Sequence, residues 1–215
     1  MIVYYLLFLL TAAVAYGLGS MSTLVLASNF VFRYNLFRLG RGNDFLANFK
    51  RVYGLKGALE LFLVEAVRDV IPIVFGGLLL GIKGHADAGR AFAGFCLCMG
   101  RLWPVFYNLK GSYAILPMVF TGIFLSPSLG IAVGFVFIAM LALTRYMAIS
   151  ALVAALAMAV APLLIIEDKV ASYICAFIGV AVIVRHFKDI VKVFKGQTEK
   201  VSFREDLSYK FDEKF

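Results

Sequence analysis

From Ile2 to Phe32 the chain carries no charged side chain. That run exceeds the ~20 residues an α-helix needs to cross the hydrocarbon core of a bilayer, and apolar runs of similar character recur as far as residue 184. In lipid such runs must satisfy their backbone hydrogen bonds internally, which a helix does. Hydrophobic residues make up 62% of the chain and charged residues only 16%, with a mean hydropathy of +0.91. Soluble domains run near 45–50% apolar and about 25% charged, so the chain reads as an all-α integral membrane protein. No cationic segment precedes the first run, which therefore reads as an anchor and not as a cleaved signal peptide. Gly17, Gly19, Ser20 and Ser22 interrupt it and predict a kink or a close helix contact.

Six further runs follow: Gly57 to about Ile82, Ala91 to Val105, the short Tyr113 to Leu125, Leu129 to Thr144, Ile149 to Ile166 and Val170 to Val184. The second run carries Glu60, Glu65, Arg68 and Asp69. Charges inside a span are costly and face protein or water. Glu65, Arg68 and Asp69 stand at i, i+3 and i+4, so one helix face brings them together. About seven transmembrane helices with the N-terminus outside would leave the C-terminus cytoplasmic. Of the 21 Lys and Arg residues, only Lys83, Arg90 and Lys169 would then fall outside, as the positive-inside rule asks. Residues 1–196 form the membrane domain on this reading, and 197–215 a polar cytoplasmic tail of mixed charge.

The main polar break is Gly40 to Arg51. Two glycines one residue apart allow successive N–H groups to point inward as an anion nest, and Arg41, Lys50 and Arg51 could add charge-assisted bonds to a phosphate. The same residues also fit a basic loop that only sets topology. The net charge of +8 and the pI near 9.5 reflect cations at segment ends, which suits anionic membrane lipids and not nucleic acid. Cys96 and Cys98 point about 200° apart on a helix, Cys175 is alone, and His85 and His186 show no ligand spacing with them; these read as packing residues, with no metal site.

The order of motifs resembles the PlsY-type acyl-phosphate:glycerol-3-phosphate acyltransferases. Ala15 to Ser20 looks like the family's Gly-Ser motif in its first helix. Gly40-Arg41-Gly42-Asn43 through Asn48 and Arg51 resembles its G-S-G-N-x-G-A-T-N-x-x-R loop. Glu65-x-x-Arg68-Asp69 stands where the family has D-x-x-K-G. Gly100 to Phe106, followed by Lys110-Gly111, resembles G-H-x-x-P-x-F and F-K-G-G-K-G. Ser126-Pro127, Arg145-Tyr146 and Arg185-His186 follow in order.

The resemblance implies a seven-span enzyme of the bacterial cytoplasmic membrane, with its site on the cytoplasmic side. It would transfer an acyl group from acyl phosphate to glycerol 3-phosphate, giving lysophosphatidate, without metal or other cofactor. Gly40, Gly42, Asn43, Asn48, Arg51, Lys110 and Gly111 would then bind phosphate, and His186 would orient or exchange a proton with the acceptor hydroxyl. Arg41 replaces the family's loop serine and Arg101 its histidine before the proline; both are candidate phosphate-binding cations. Ser112-Tyr113-Ala114 replaces glycine–lysine–glycine, so one phosphate-binding lysine is missing. Asp189 stands at the family's asparagine, at i+3 from His186, where it can pair with the imidazole. The alternative is a non-catalytic homologue that binds a phospholipid or phosphate ester, or serves as a partner subunit.

Overall fold

A computed structural model describes residues 2–34, 43–107 and 111–196. Among these the chain is helical: α1 (Ile2–Ser20), α2 (Thr23–Phe30), α3 (Asn43–Gly81), α4 (Ala86–Leu102), a 3₁₀ turn (Val105–Tyr107), α5 (Ile115–Leu125), α6 (Pro127–Thr144), α7 (Met147–Ile165) and α8 (Lys169–Phe194). Four of them, α1, α6, α7 and α8, are long and apolar enough to cross a membrane. α3 and α4 carry charges within their length, and α5 is an apolar helix of 11 residues.

The first run divides where the sequence suggested a kink. α1 stops at Ser20 and α2 starts at Thr23, with two residues between them. α3 departs from expectation. The stretch 33–56 reads as a polar loop, yet helix begins at Asn43. Its physical reason is aromatic: Phe49 and Tyr53, one turn apart, both pack on Phe32, with ring centroids 5.4 and 4.7 Å away. Phe49 is almost fully buried there. At Gly54 the backbone takes φ 63° and ψ −161°, a region open essentially to glycine alone. The chain turns at that residue and runs on as the apolar part of α3.

Pro127 opens α6, as its fixed φ allows in a first turn. α6 closes on Arg145 in the left-handed conformation, with φ 59°, and α7 follows at once. Asp168 caps α8, accepting from the N–H groups of Val170 and Ala171, which satisfies two otherwise unpaired donors.

The main core lies between α4, α5, α6, α7 and α8, with Met118, Leu129, Met158, Ile178 and Val182 fully buried. Small residues let the helices close on one another. A Cβ on Gly89 would run into the Gly76 carbonyl, so α3 and α4 touch backbone to backbone, as small residues permit in membrane bundles. The outer faces are apolar: Phe177, Val180, Val184 and Phe187 of α8 and Ile131, Phe135 and Ile138 of α6 are all exposed. Cys96, Cys98 and Cys175 are free and buried.

Candidate functional site

Charge enters the bundle at α3. Arg68 is 3% exposed and Asp69 fully buried. The Arg68 Nε and one terminal nitrogen donate to Asp69 Oδ1, at 2.9 and 2.5 Å. Its other terminal nitrogen donates to the Met21 carbonyl at 3.0 Å and to Thr23 Oγ1 at 2.7 Å. Both acceptors lie at the break between α1 and α2. Glu65 stands 3.7 Å from Arg68 and pairs with Arg101, which comes from the last turn of α4. Arg101 also donates to Thr23 at 3.2 Å. Two carboxylates and two guanidiniums therefore form one network that joins α2, α3 and α4. The anticipated pairing on one face of α3 holds, and neither Glu65 nor Arg68 faces lipid. The sequence did not show that Thr23 would bridge both guanidiniums, since it lies more than 40 residues from either.

The carboxyl end of α4 is also the seat of a second cluster. The Ser112 N–H donates to the Arg101 carbonyl at 3.2 Å. Gly111 lies so close to the carbonyls of Arg101 and Leu102 that a Cβ would collide with them. From α8, the Arg185 Nε donates to the Leu102 carbonyl at 3.1 Å. Tyr16 of α1 donates its hydroxyl proton to the Trp103 carbonyl at 2.8 Å. These bonds deliver Tyr113 onto His186, where the two rings stack with centroids 4.2 Å apart and planes 28° apart. Burial, and then the charge of Asp189, push the Tyr113 phenol up to about 12, so it stays neutral.

His186 is 4% exposed. Its Nδ1 lies 3.0 Å from Asp189 Oδ2, while Lys192 Nζ donates to Asp189 Oδ1 at 3.3 Å. An ionised carboxylate only accepts, so the neutral imidazole carries its proton on Nδ1. Nε2 is then a free lone pair. It is buried and without a hydrogen-bond partner among the described residues. Left unsatisfied, such a buried polar atom costs about 1–3 kcal/mol, and a hydroxyl donor would satisfy it.

The sequence-derived candidates divide three ways. Gly40, Arg41, Gly42 and Lys110 lie outside the described residues. Asn43, Asn48 and Arg51 stand on the first segment of α3, where the description covers their backbone. Arg101, Gly111, His186 and Asp189 are fully described. Gly111 and the backbone of Arg101 meet beside the His186 cluster, but the Arg101 guanidinium turns the other way, onto Glu65. A cation expected to be available for phosphate is thus already paired. Tyr113 was missed as a site residue, because its only signal in the sequence was the loss of a lysine.

The family model described as glycerol-3-phosphate acyltransferase matches residues 9–196. The chain belongs to this family. It is 29% identical over 194 residues to glycerol-3-phosphate acyltransferase 2 of Bacillus anthracis, covering 90% of this chain and 98% of that one. It is 25% identical over 203 residues to a glycerol-3-phosphate acyltransferase of Staphylococcus carnosus (strain TM300), covering 92% of this chain and all of that one. Among solved structures, the fold is similar to the glycerol 3-phosphate form of PlsY, an integral membrane glycerol 3-phosphate acyltransferase. The TM-score is 0.69 at 21% identity, over 91% of this chain and 96% of that one. The lysophosphatidic acid form of PlsY gives the same TM-score at 20% identity, over 90% of this chain and 94% of that one.

Proposed function

We propose that this chain is a glycerol-3-phosphate acyltransferase of phospholipid biosynthesis, using an acyl phosphate as donor and releasing lysophosphatidate and inorganic phosphate. Family membership sets the reaction class, and the observation that carries the chemistry is the His186 Nε2 lone pair, buried and without a partner among the described residues, with Asp189 behind it. The acceptor hydroxyl hydrogen-bonds to Nε2, its oxygen attacks the acyl carbonyl, and the new ester C–O bond forms. The bond from the acyl carbon to the phosphate oxygen breaks. The hydroxyl proton passes by way of Nε2 to the departing phosphate, so the imidazole ends neutral. General acid–base help of this kind contributes about 10²–10⁴-fold, and holding both substrates in place supplies much of the rest.

Phosphate binding falls to Gly40, Arg41, Gly42, Asn43, Asn48, Arg51, Lys110 and Gly111, through backbone N–H groups and fixed positive charge. Arg101 takes a changed part: neutralised by Glu65, it holds the start of α2, from which the chain leads into the Gly40–Gly42 stretch. On this reading the bundle has seven spans with the N-terminus outside and the site on the cytoplasmic side of a bacterial cytoplasmic membrane, with residues 1–196 as the membrane domain and 197–215 as a cytoplasmic tail. Its partners are then acyl phosphate, glycerol 3-phosphate and membrane lipids. The second reading is a homologue that binds a phosphate ester without transfer. One observation favours it: pairing Arg101 with Glu65 removes a cation that could stand in for the missing lysine.

Substitution separates the assigned roles. Arg51→Glu should abolish binding of glycerol 3-phosphate. His186→Ala should bind it normally and lose turnover by about 10²–10⁴-fold. Equal loss of binding in both variants would contradict the roles given to them.

A further inference from the structure

The His186 ring is held by two contacts that restrain different motions. Asp189 accepts at Nδ1, which sets the rotation of the ring about its bond to Cβ. A single hydrogen bond is a pivot, however, and leaves the ring free to tilt. Tyr113 lies against its face, at 4.2 Å between centroids, and removes that tilt. Tyr113 is itself held. It packs against the main core on one side and against the cluster of Ala148, Ile190 and Val193 on the other. The neighbouring Ser112 N–H is tied to the end of α4. A floor anchored in α4 and a wall from α7 and α8 thus meet at one aromatic ring.

We propose that Tyr113 is a positioning residue of the transfer reaction, a clamp that keeps His186 Nε2 aimed at the acceptor hydroxyl. This inference rests on the role of His186 under Proposed function. It concerns the ring and not the phenol, which burial and the nearby Asp189 charge keep protonated and neutral. At the position where the family resemblance places a lysine, this chain carries a flat aromatic ring that stacks on the base.

Two measurements test the clamp. The chain has two histidines, so ¹⁵N-histidine labelling with His85→Gln leaves His186 alone in the spectrum. In the unsubstituted Tyr113 background and in Tyr113→Phe, the neutral ring should show a single tautomer with its proton on Nδ1. Turnover of the two should agree within about 2-fold. In Tyr113→Ala the proton should stay on Nδ1, where Asp189 still accepts it, but the His186 signals should broaden by exchange as the ring tilts. The kcat of this variant should fall on the order of 10–100-fold with KM for glycerol 3-phosphate within about 3-fold, the pattern of a misaimed group and not of lost binding. Tyr113→Leu restores apolar volume without a planar face and should behave like Tyr113→Ala, which keeps the test open if the alanine variant does not fold. Full kcat with unbroadened His186 signals in Tyr113→Leu would overturn the proposal, as would a loss in Tyr113→Phe as deep as in Tyr113→Ala. Absence of turnover in the unsubstituted protein would defeat the proposed function instead; the comparison of His186 line widths would still decide the clamp.

Discussion

All three nitrogens of the Arg68 guanidinium donate, and their acceptors come from its own helix and from the α1–α2 break. Removing one member of such a group leaves a buried charge uncompensated, which costs about 3–5 kcal/mol. Arg68→Met should therefore lower stability in detergent by that order, read as a drop in the thermal midpoint. Arg68→Met combined with Asp69→Asn should recover part of the loss, since no carboxylate is then stranded. Additive losses would show that the two residues do not act as a pair. The i, i+3, i+4 spacing made this cluster legible in the sequence, because helical geometry alone brings those side chains together. The parts supplied by Thr23 and Arg101 were not legible. They depend on how three helices lie against one another, and no local pattern records that. The His186–Asp189 contact was legible for the same reason of spacing, whereas the Tyr113 stack requires the 111–113 segment to fold back over α8.

At the scale of elements, the departure at α3 has a simple origin. Charge and glycine content made residues 33–56 read as loop, but Phe49 and Tyr53 have Phe32 to pack against, and burial outweighs the polar neighbours. Gly54 makes the arrangement possible by letting the helix turn at a conformation closed to other residues. No heavy atom lies within 4 Å of a Cβ placed there, so strain and not collision decides the outcome. Gly54→Ala should cost about 1–3 kcal/mol and misplace the segment bearing Asn43, Asn48 and Arg51. The expected signature is a higher KM for glycerol 3-phosphate together with a lower thermal midpoint. A variant of unchanged KM and stability would mean that the turn at Gly54 does not set the position of these residues. Of the other boundaries, α8 runs to Phe194, ten residues past the Val184 that ends the apolar run, and α4 starts at Ala86, five residues before the run expected from Ala91, while those of α6 followed the sequence. Pro127 opens α6, and Arg145 ends it. Both are marks that backbone chemistry leaves in the residues themselves.

For the whole molecule, the apolar outer faces of α6 and α8 fit a lipid surround, since exposure of Phe135, Phe177 and Phe187 to water would favour aggregation. Composition alone made the membrane class legible. The number of crossings was less so, because α3 and α4 carry buried charges and α5 is short, and hydropathy cannot weigh a polar group that a neighbouring helix satisfies. The proposed orientation rests on the cations: a cysteine added at the C-terminus should react with an impermeant thiol reagent only after cells are opened. The native cysteines are buried and should give little background. Labelling from outside intact cells would reverse the orientation and move the site to the other face.

The most direct test is chemical. Purified protein in detergent, supplied with an acyl phosphate and glycerol 3-phosphate and with no coenzyme A, should form lysophosphatidate and release one inorganic phosphate for each acyl group transferred. His186→Ala should do neither above background. If the purified protein binds glycerol 3-phosphate but yields no lysophosphatidate, or if its His186→Ala variant turns over at the same rate, the assignment of this chain as a histidine-assisted acyltransferase is contradicted.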